Sequence, residues 1–261
     1  MILDTIAAAA KSRVERKKKG ATLEAVREKA YAMPAGDMFP FERALSKPGI
    51  SFICEVKKAS PSKGVIAADF PYLQIARDYA AAGADAISVL TEPDYFLGKD
   101  EYLAEIKNQV SLPILRKDFV VDSYQIYEAK ILGAAAVLLI CAILDTQTIR
   151  SLLVLCRELG LSALVETHDE REMEAALEAQ AEVIGVNNRN LKDFTVDINN
   201  SIRLRQLAPE NILFVAESGI QTADHIEQLR QAKVDGVLIG EALMRSPDKK
   251  AALGLLRGVS L

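Results

Sequence analysis

Ile50-Ser51-Phe52-Ile53-Cys54-Glu55-Val56-Lys57-Lys58-Ala59-Ser60-Pro61-Ser62-Lys63-Gly64 is the stretch on which the fold turns. Its first half is apolar and reads as a buried strand. Side chains alternate along a strand, so Glu55 and Lys57 share a face with Ile53. A carboxylate and an ammonium therefore sit where a core face ends. The chain then breaks into Ser, Pro and Gly. That turn carries no G-x-G-x-x-G, the glycine pattern expected after the first strand of a doubly wound open sheet.

The same unit recurs along the chain. Short β-branched or Leu-rich runs fall at 50–56, 86–90, 113–116, 135–140, 162–165, 183–186, 212–216 and 236–239. Amphipathic segments near 70–82, 100–109, 123–132, 145–159, 169–179, 198–207, 221–232 and 248–257 separate and follow them. Ala82-Gly83-Ala84 and Leu132-Gly133-Ala134 read as helix C-terminal glycines leading into tight turns. Strands that alternate with helices pair in parallel through right-handed crossovers. Eight such units close most simply into an α/β architecture, the (β/α)8 TIM barrel, whereas an open sheet would leave edge strands.

Residues 1–46 lie outside this rhythm. Ile2, Ile6, Ala9, Ala10 and Val14 fall at helical spacing, Gly20 breaks that helix, Thr22 caps a second, and Pro34 ends it. No Pro- or Ser-rich linker follows. The expectation is one barrel domain over 1–261, with 1–46 as a helical extension packed on it.

Composition narrows the function classes. The 261 residues are 50% hydrophobic, enough for one large core. Net charge is −4 and no long basic stretch occurs, so no nucleic-acid partner is expected. Lys17-Lys18-Lys19 reads as a solvated helix end. Cys54, Cys141 and Cys156 each lie in apolar surroundings, as reduced buried thiols do. The longest apolar run, near 134–144, is about half of what a bilayer requires, so no membrane partner is expected. Ile6 to Ala10 precede the basic residues, unlike a secretion signal, and a cytoplasmic location follows. Only His168 and His225 are present, which argues against a His-rich metal centre. A monomer is expected.

Charge gathers where the strands end: Glu55 and Lys57, Thr91-Glu92, Lys117-Asp118, Glu166-Thr167, Asn187-Asn188-Arg189, Glu217-Ser218-Gly219 and Gly240-Glu241. The C-terminal strand ends of such a barrel build its active site, and crowded, buried charges acquire the shifted pKa values that acid–base chemistry uses. Each residue also has a plainer reading. Glu55 and Lys57 suit a structural ion pair, Lys117 suits neutralising Asp118 or Glu166, and Asn187, Asn188 and Arg189 suit a surface turn. Thr167 with Glu170 reads as a helix capping box, and His168 beside them as exposed. Gly219 and Gly240, in the loops after strands seven and eight, would let backbone N–H groups reach a phosphate, helped by Ser218, the Ser60-Pro61-Ser62 turn and a short helix from Glu241 to Met244. Glu241 fits there if its side chain turns to solvent.

Seven segments together resemble the indole-3-glycerol phosphate synthase family. They are Glu55 to Gly64, Ser88 to Phe96, Leu115 to Phe119, Val165 to Glu170, Ile184 to Leu191, Ala216 to Ile220 and Leu238 to Met244, in order over nearly the whole chain. The resemblance implies a carbon–carbon lyase of tryptophan biosynthesis. Its reaction closes the ring of 1-(2-carboxyphenylamino)-1-deoxyribulose 5-phosphate and releases CO2 and water, with no metal or organic cofactor. By resemblance, Lys117 is the acid at the carbonyl. Lys57 binds the carboxylate and protonates the departing hydroxyl, although the division between the two lysines stays open. Glu166 transfers a proton during dehydration, Glu55 steadies positive charge, and Asn187 and Glu217 bind sugar hydroxyls or fix neighbours. Ser218 completes this set at the phosphate region, which Ser60, Arg189, Gly219, Gly240 and Glu241 surround. Phe96, Phe119 and Leu139 wall the aryl pocket. Lys99, Thr167 and Ala135 depart from the family pattern without touching a proposed role. The rival readings are a Schiff-base aldolase on the same scaffold, a phosphosugar isomerase and a non-catalytic phosphosugar-binding barrel.

Overall fold

The computed structural model describes residues 2–34, 36–190 and 193–258. Eight strands carry the fold: β1 (Ser51–Val56), β2 (Ala86–Leu90), β3 (Ile114–Lys117), β4 (Ala136–Ile140), β5 (Ser162–Thr167), β6 (Val183–Asn187), β7 (Leu213–Glu217) and β8 (Gly236–Ile239). They form a closed barrel, each strand beside its sequence neighbours and β1 beside β8, all parallel. The alternation in the sequence therefore folds as expected. Four strands run one or two residues past their apolar runs, so Lys117, Thr167, Asn187 and Glu217 belong to strands. Their side chains keep the strand's alternation, and this aims Lys117, Asn187 and Glu217 into the barrel.

Among the described residues three α-helices precede the barrel, α1 (Ile2–Gly20), α2 (Leu23–Tyr31) and α3 (Pro40–Leu45), and nine follow within it. These are α4 (Tyr72–Ala81), α5 (Asp100–Lys107), α6 (Ser123–Leu132), α7 (Thr146–Glu158), α8 (Glu170–Glu178), α9 (Asn199–Arg205), α10 (Ala223–Gln231), α11 (Glu241–Arg245) and α12 (Lys249–Leu256). Polar side chains cap several first turns. Thr22 accepts from Ala25 N, Asp122 from Tyr124 N, Asp145 from Thr148 N and Thr222 from His225 N. The sequence had not shown α3, nor the antiparallel pairing of Ala59–Ser60 with Gly64–Val65 that folds the loop after β1 back on itself.

Two apolar layers result. Phe52, Cys54, Val56, Ile87, Val89, Val137 and Leu139 pack outward against the helices. Ile53, Leu115, Leu138, Ile140, Leu164, Val215 and Leu238 fill the barrel. The extension belongs to this inner layer at two places. Phe41 and Leu45 of α3 are buried in it, and a Cβ on Gly236, where β8 starts, would lie 2.8 Å from Leu45. Leu3, Ile6 and Ala10 of α1 are buried in the same layer. No described helix is long and apolar enough to cross a membrane.

Candidate active site

A cavity of about 610 Å³ opens at the C-terminal ends of the strands. Its wall includes Glu55, Lys57, Ser60, Phe96, Lys117, Phe119, Glu166, Asn187, Arg189, Glu217, Ser218, Gly219, Gly240 and Glu241. Thus all but one of the residues expected at the site line one space. The exception is Leu139, which is fully buried in the outer layer. Its neighbours Leu138 and Ile140 face the cavity instead. The strand register explains this, because Ile140 pairs with the inward Glu166, leaving Leu139 on the opposite face.

Two ion clusters occupy the floor. In one, Lys57 Nζ contacts Glu55 Oε2. In the other, Lys117 Nζ lies 3.0 Å from Glu166 Oε2 and 3.3 Å from Glu217 Oε2. Asn187 Nδ2 donates to Glu166 Oε1 at 3.2 Å. Both clusters lean on missing side chains. A Cβ on Gly185 would collide with Glu217 Oε1, and one on Gly240 would collide with Glu55 Oε2 and lie 2.9 Å from Lys57 Nζ. Glycine at these two positions leaves the room that the carboxylates fill.

The surroundings set the charge states. Burial alone would lower the Lys117 pKa, but Glu166, Glu217 and Glu55 outweigh it and raise it, so this lysine holds its proton. Burial would likewise raise Glu166, but Lys117 and His168 pull it well below the ordinary carboxylate range. Glu217 goes the other way. Its burial outweighs the pull of Lys117, and the charges of Glu166 and Glu55 push it further up. Its Oε1 is buried without a hydrogen-bond partner among the described residues. One lysine thus stands between a firmly ionised carboxylate and one close to taking up a proton, a division suited to acid–base work.

The rim is polar on one side. Ser218 adopts a left-handed φ of 66° and Gly219 follows at 81°. A residue with a side chain is uncommon in that region, and such strain concentrates at functional sites. Asn188 holds the turn. Its Nδ2 donates to Ser218 O at 3.1 Å, while its Oδ1 accepts from Ser201 N and Oγ at 3.0 and 2.8 Å. Asn188 is thus a buried pin between β6, β7 and α9 rather than a surface turn residue. Glu241 turns toward Arg245, whose Nε donates to it at 3.0 Å, and Lys63 lies 3.9 Å away. The opposite side is apolar. Phe96 and Phe119 stand 6.0 Å apart, and Ile2, Leu3 and Ile6 of α1 join them. The extension therefore supplies part of the cavity wall, a role its helical spacing alone did not announce.

Other residues take different places from those expected. Thr167 does not cap α8. It is the buried last residue of β5 and its Oγ1 donates to Gly185 O at 3.2 Å. Asp169 is the cap, accepting from Glu172 N at 2.9 Å. His168 is not exposed either, with only 15% of its side chain accessible. Glu92 organises its own loop by accepting from the backbone N–H groups of Asp94, Tyr95 and Phe96 at 3.1, 2.7 and 3.1 Å. Lys99 lies 5.9 Å over the Tyr102 ring and does not line the cavity. Leu191, part of the fifth family-like segment, lies outside the described residues. Among those residues no group of three or more His, Cys, Asp or Glu side chains could hold a metal ion.

A family model described as indole-3-glycerol phosphate synthase matches residues 3–256. The protein of that name from Ruminiclostridium cellulolyticum is 57% identical over 258 residues, covering 99% of each chain. Its namesake from Endomicrobium trichonymphae is 54% identical over 246 residues, covering 94% of this chain and 95% of its own. Among solved structures, 3-hexulose-6-phosphate synthase from Salmonella typhimurium superposes with a TM-score of 0.65 at 15% identity, over 80% of this chain and 97% of its own. That likeness speaks for the barrel alone.

Proposed function

Since the chain belongs to the indole-3-glycerol phosphate synthase family, we propose that it converts 1-(2-carboxyphenylamino)-1-deoxyribulose 5-phosphate to indole-3-glycerol phosphate, CO2 and water. The observation that carries this reading is Lys117, held between Glu166 and Glu217, in one cavity with the Glu55–Lys57 pair. The reaction is a carboxy-lyase step followed by dehydration, and neither half calls for a metal or an organic cofactor.

Lys117, kept protonated by its carboxylates, hydrogen-bonds the sugar carbonyl and protonates it as the aryl carbon attacks. Lys57 faces the substrate carboxylate and holds it until CO2 leaves. The cation formed on ring closure is steadied by Glu55 and Glu217. Dehydration then needs a base for one proton and an acid for the departing hydroxyl. Glu166, ionised, takes the first, and Lys57 supplies the second. Asn187 orients Glu166. Ser60, Ser218, Gly219, Gly240 and Arg189 surround the phosphate, with Glu241 turned aside to Arg245. Phe96, Phe119, Leu138, Ile140 and the α1 side chains enclose the aryl ring. We place this chemistry in the cytoplasm, in a monomeric chain forming one barrel domain, with no nucleic-acid partner.

A Schiff-base aldolase would need one of these lysines as a free amine. The raised pKa of Lys117 runs against that for Lys117. The test is incubation with the carboxyphenylamino-deoxyribulose phosphate, following indole fluorescence and released CO2. Both should appear together. Turnover of neither, or a lysine adduct trapped by borohydride, would reject the assignment.

A further inference from the structure

The loop after β5 fixes one imidazole from several sides. His168 N donates to Glu172 Oε2 at 2.9 Å, and its ring Nδ1 lies 2.9 Å from that same oxygen. Its carbonyl accepts from Asn200 Nδ2 at 3.0 Å. The other ring nitrogen, Nε2, is buried without a hydrogen-bond partner among the described residues, and Glu166 Oε1 lies 3.4 Å from it, within ion-pair distance. That oxygen also accepts from Asn187, and the second oxygen of Glu166 accepts from Lys117. A chain of charge contacts therefore runs from Glu172 on α8 through His168 and Glu166 to Lys117 and Glu217.

The charged and titratable groups around the ring come from three elements. Glu166 belongs to β5, and Glu172 and the cap Asp169 to α8. The Cys141 thiol follows β4, and burial together with Glu172, Glu166 and Asp169 pushes it up to about 12, so it stays neutral. Lys117 lies beyond Glu166, and Asn187 and Asn200 are uncharged. Each ring nitrogen thus faces a carboxylate. A neutral imidazole would present a bare lone pair to one of them, whereas an imidazolium turns a positive N–H edge toward both. Burial opposes that charge, but Glu166 and Glu172 outweigh it and raise the His168 pKa to about 10.

We propose that His168, oriented by Glu172, is a positioning residue for Glu166: as an imidazolium it aims the carboxylate and keeps it ionised between turnovers. This rests on the reading of Glu166 as the proton acceptor. The sign of its effect follows. Activity needs ionised Glu166 and is lost as pH falls through the Glu166 pKa. Removing the neighbouring cation raises that pKa, so the acidic limb of kcat moves to higher pH.

Two measurements test it. The chain has only two histidines. In 15N-histidine spectra of the wild-type protein at pH 8, where an ordinary imidazole of pKa about 6.5 is neutral, His168 should carry protons on both ring nitrogens. Two neutral rings at pH 8 would overturn the proposal. In kinetics, His168→Gln and Glu172→Gln should each move the acidic limb of kcat upward, His168→Gln by about one to three pH units, with KM little changed. Glu166→Gln separates the two levels. If it turns over like wild type, the reading of Glu166 fails and takes this proposal with it. If it is inactive while the limb stays in place in both folded variants, only the role of His168 fails. Should His168→Gln not fold, Glu172→Gln and the wild-type spectra decide.

Discussion

Lys117→Met removes the cation that lies 3.0 and 3.3 Å from two buried carboxylates and puts an uncharged side chain of similar length in its place. At neutral pH the variant must either bury an uncompensated carboxylate or protonate it. Removing one partner of a buried pair costs about 3–5 kcal/mol. The alternative has a ceiling set by the proton: holding a carboxyl of ordinary pKa about 4.3 neutral at pH 7 costs about 4 kcal/mol. The two routes agree, so the expected loss at pH 7 is about 4 kcal/mol, or about 8–15 °C in melting temperature for a chain of this size.

The pH dependence separates this account from a loss of packing. In the variant the folded carboxyl has a pKa above its unfolded value, so the folded state binds more protons than the unfolded one. Its stability deficit should therefore shrink as pH falls, by about 1.4 kcal/mol per unit toward pH 5. Melting followed by circular dichroism at pH 5, 6 and 7, against wild type, measures it directly. Turnover, read by indole fluorescence, should fall by about two to four orders of magnitude at each pH, as expected for a missing general acid. A deficit of equal size at pH 5 and pH 7 would refute the electrostatic argument, and near-normal turnover would refute the catalytic one.

Gly185→Ala should push Glu217 off its place beside Lys117, costing about 1–3 kcal/mol in a melt together with most of kcat. Gly254→Ala, inside α12 with open space around it, should instead stabilise by about 0.5–1 kcal/mol and leave turnover alone. Leu139→Ala should cost about 2–5 kcal/mol without changing KM, whereas Leu138→Ala should raise KM as well, because only the latter faces the cavity. Glu92→Ala should cost about 1–3 kcal/mol by taking the acceptor from three backbone N–H groups, with Arg13 keeping Asp94 and Asp118, and should lower kcat through the displaced Phe96.

What the sequence discloses about such a site depends on whether a strand carries a mark of its own direction. In β1 the mark is present: Ile53, Glu55 and Lys57 alternate with Cys54 and Val56, and two-residue periodicity suffices to aim the charges inward. In β4 it is absent. Ala136 to Ile140 is apolar at every position, so either face could be the core face, and only the pairing of Ile140 with Glu166 shows that Leu138 rather than Leu139 meets the substrate space. Gly185 and Gly240 show the same limit from the other side, because a glycine's purpose lies in which neighbour fills its vacancy. His168 was hidden by a local motif that fits its sequence equally well. Thr167 and Glu170 have capping-box spacing, yet β5 extends through Thr167 because its backbone pairs with β6 and its hydroxyl finds Gly185 O. The cap then shifts to Asp169, Glu172 swings back to the loop, and the imidazole between them turns toward Glu166. A two-residue displacement of the helix start is thus what sets the imidazole between Glu172 and Glu166; Asp169 and Glu172 have capping-box spacing just as Thr167 and Glu170 do, so local spacing offers both starts and the strand partner eighteen residues away decides between them.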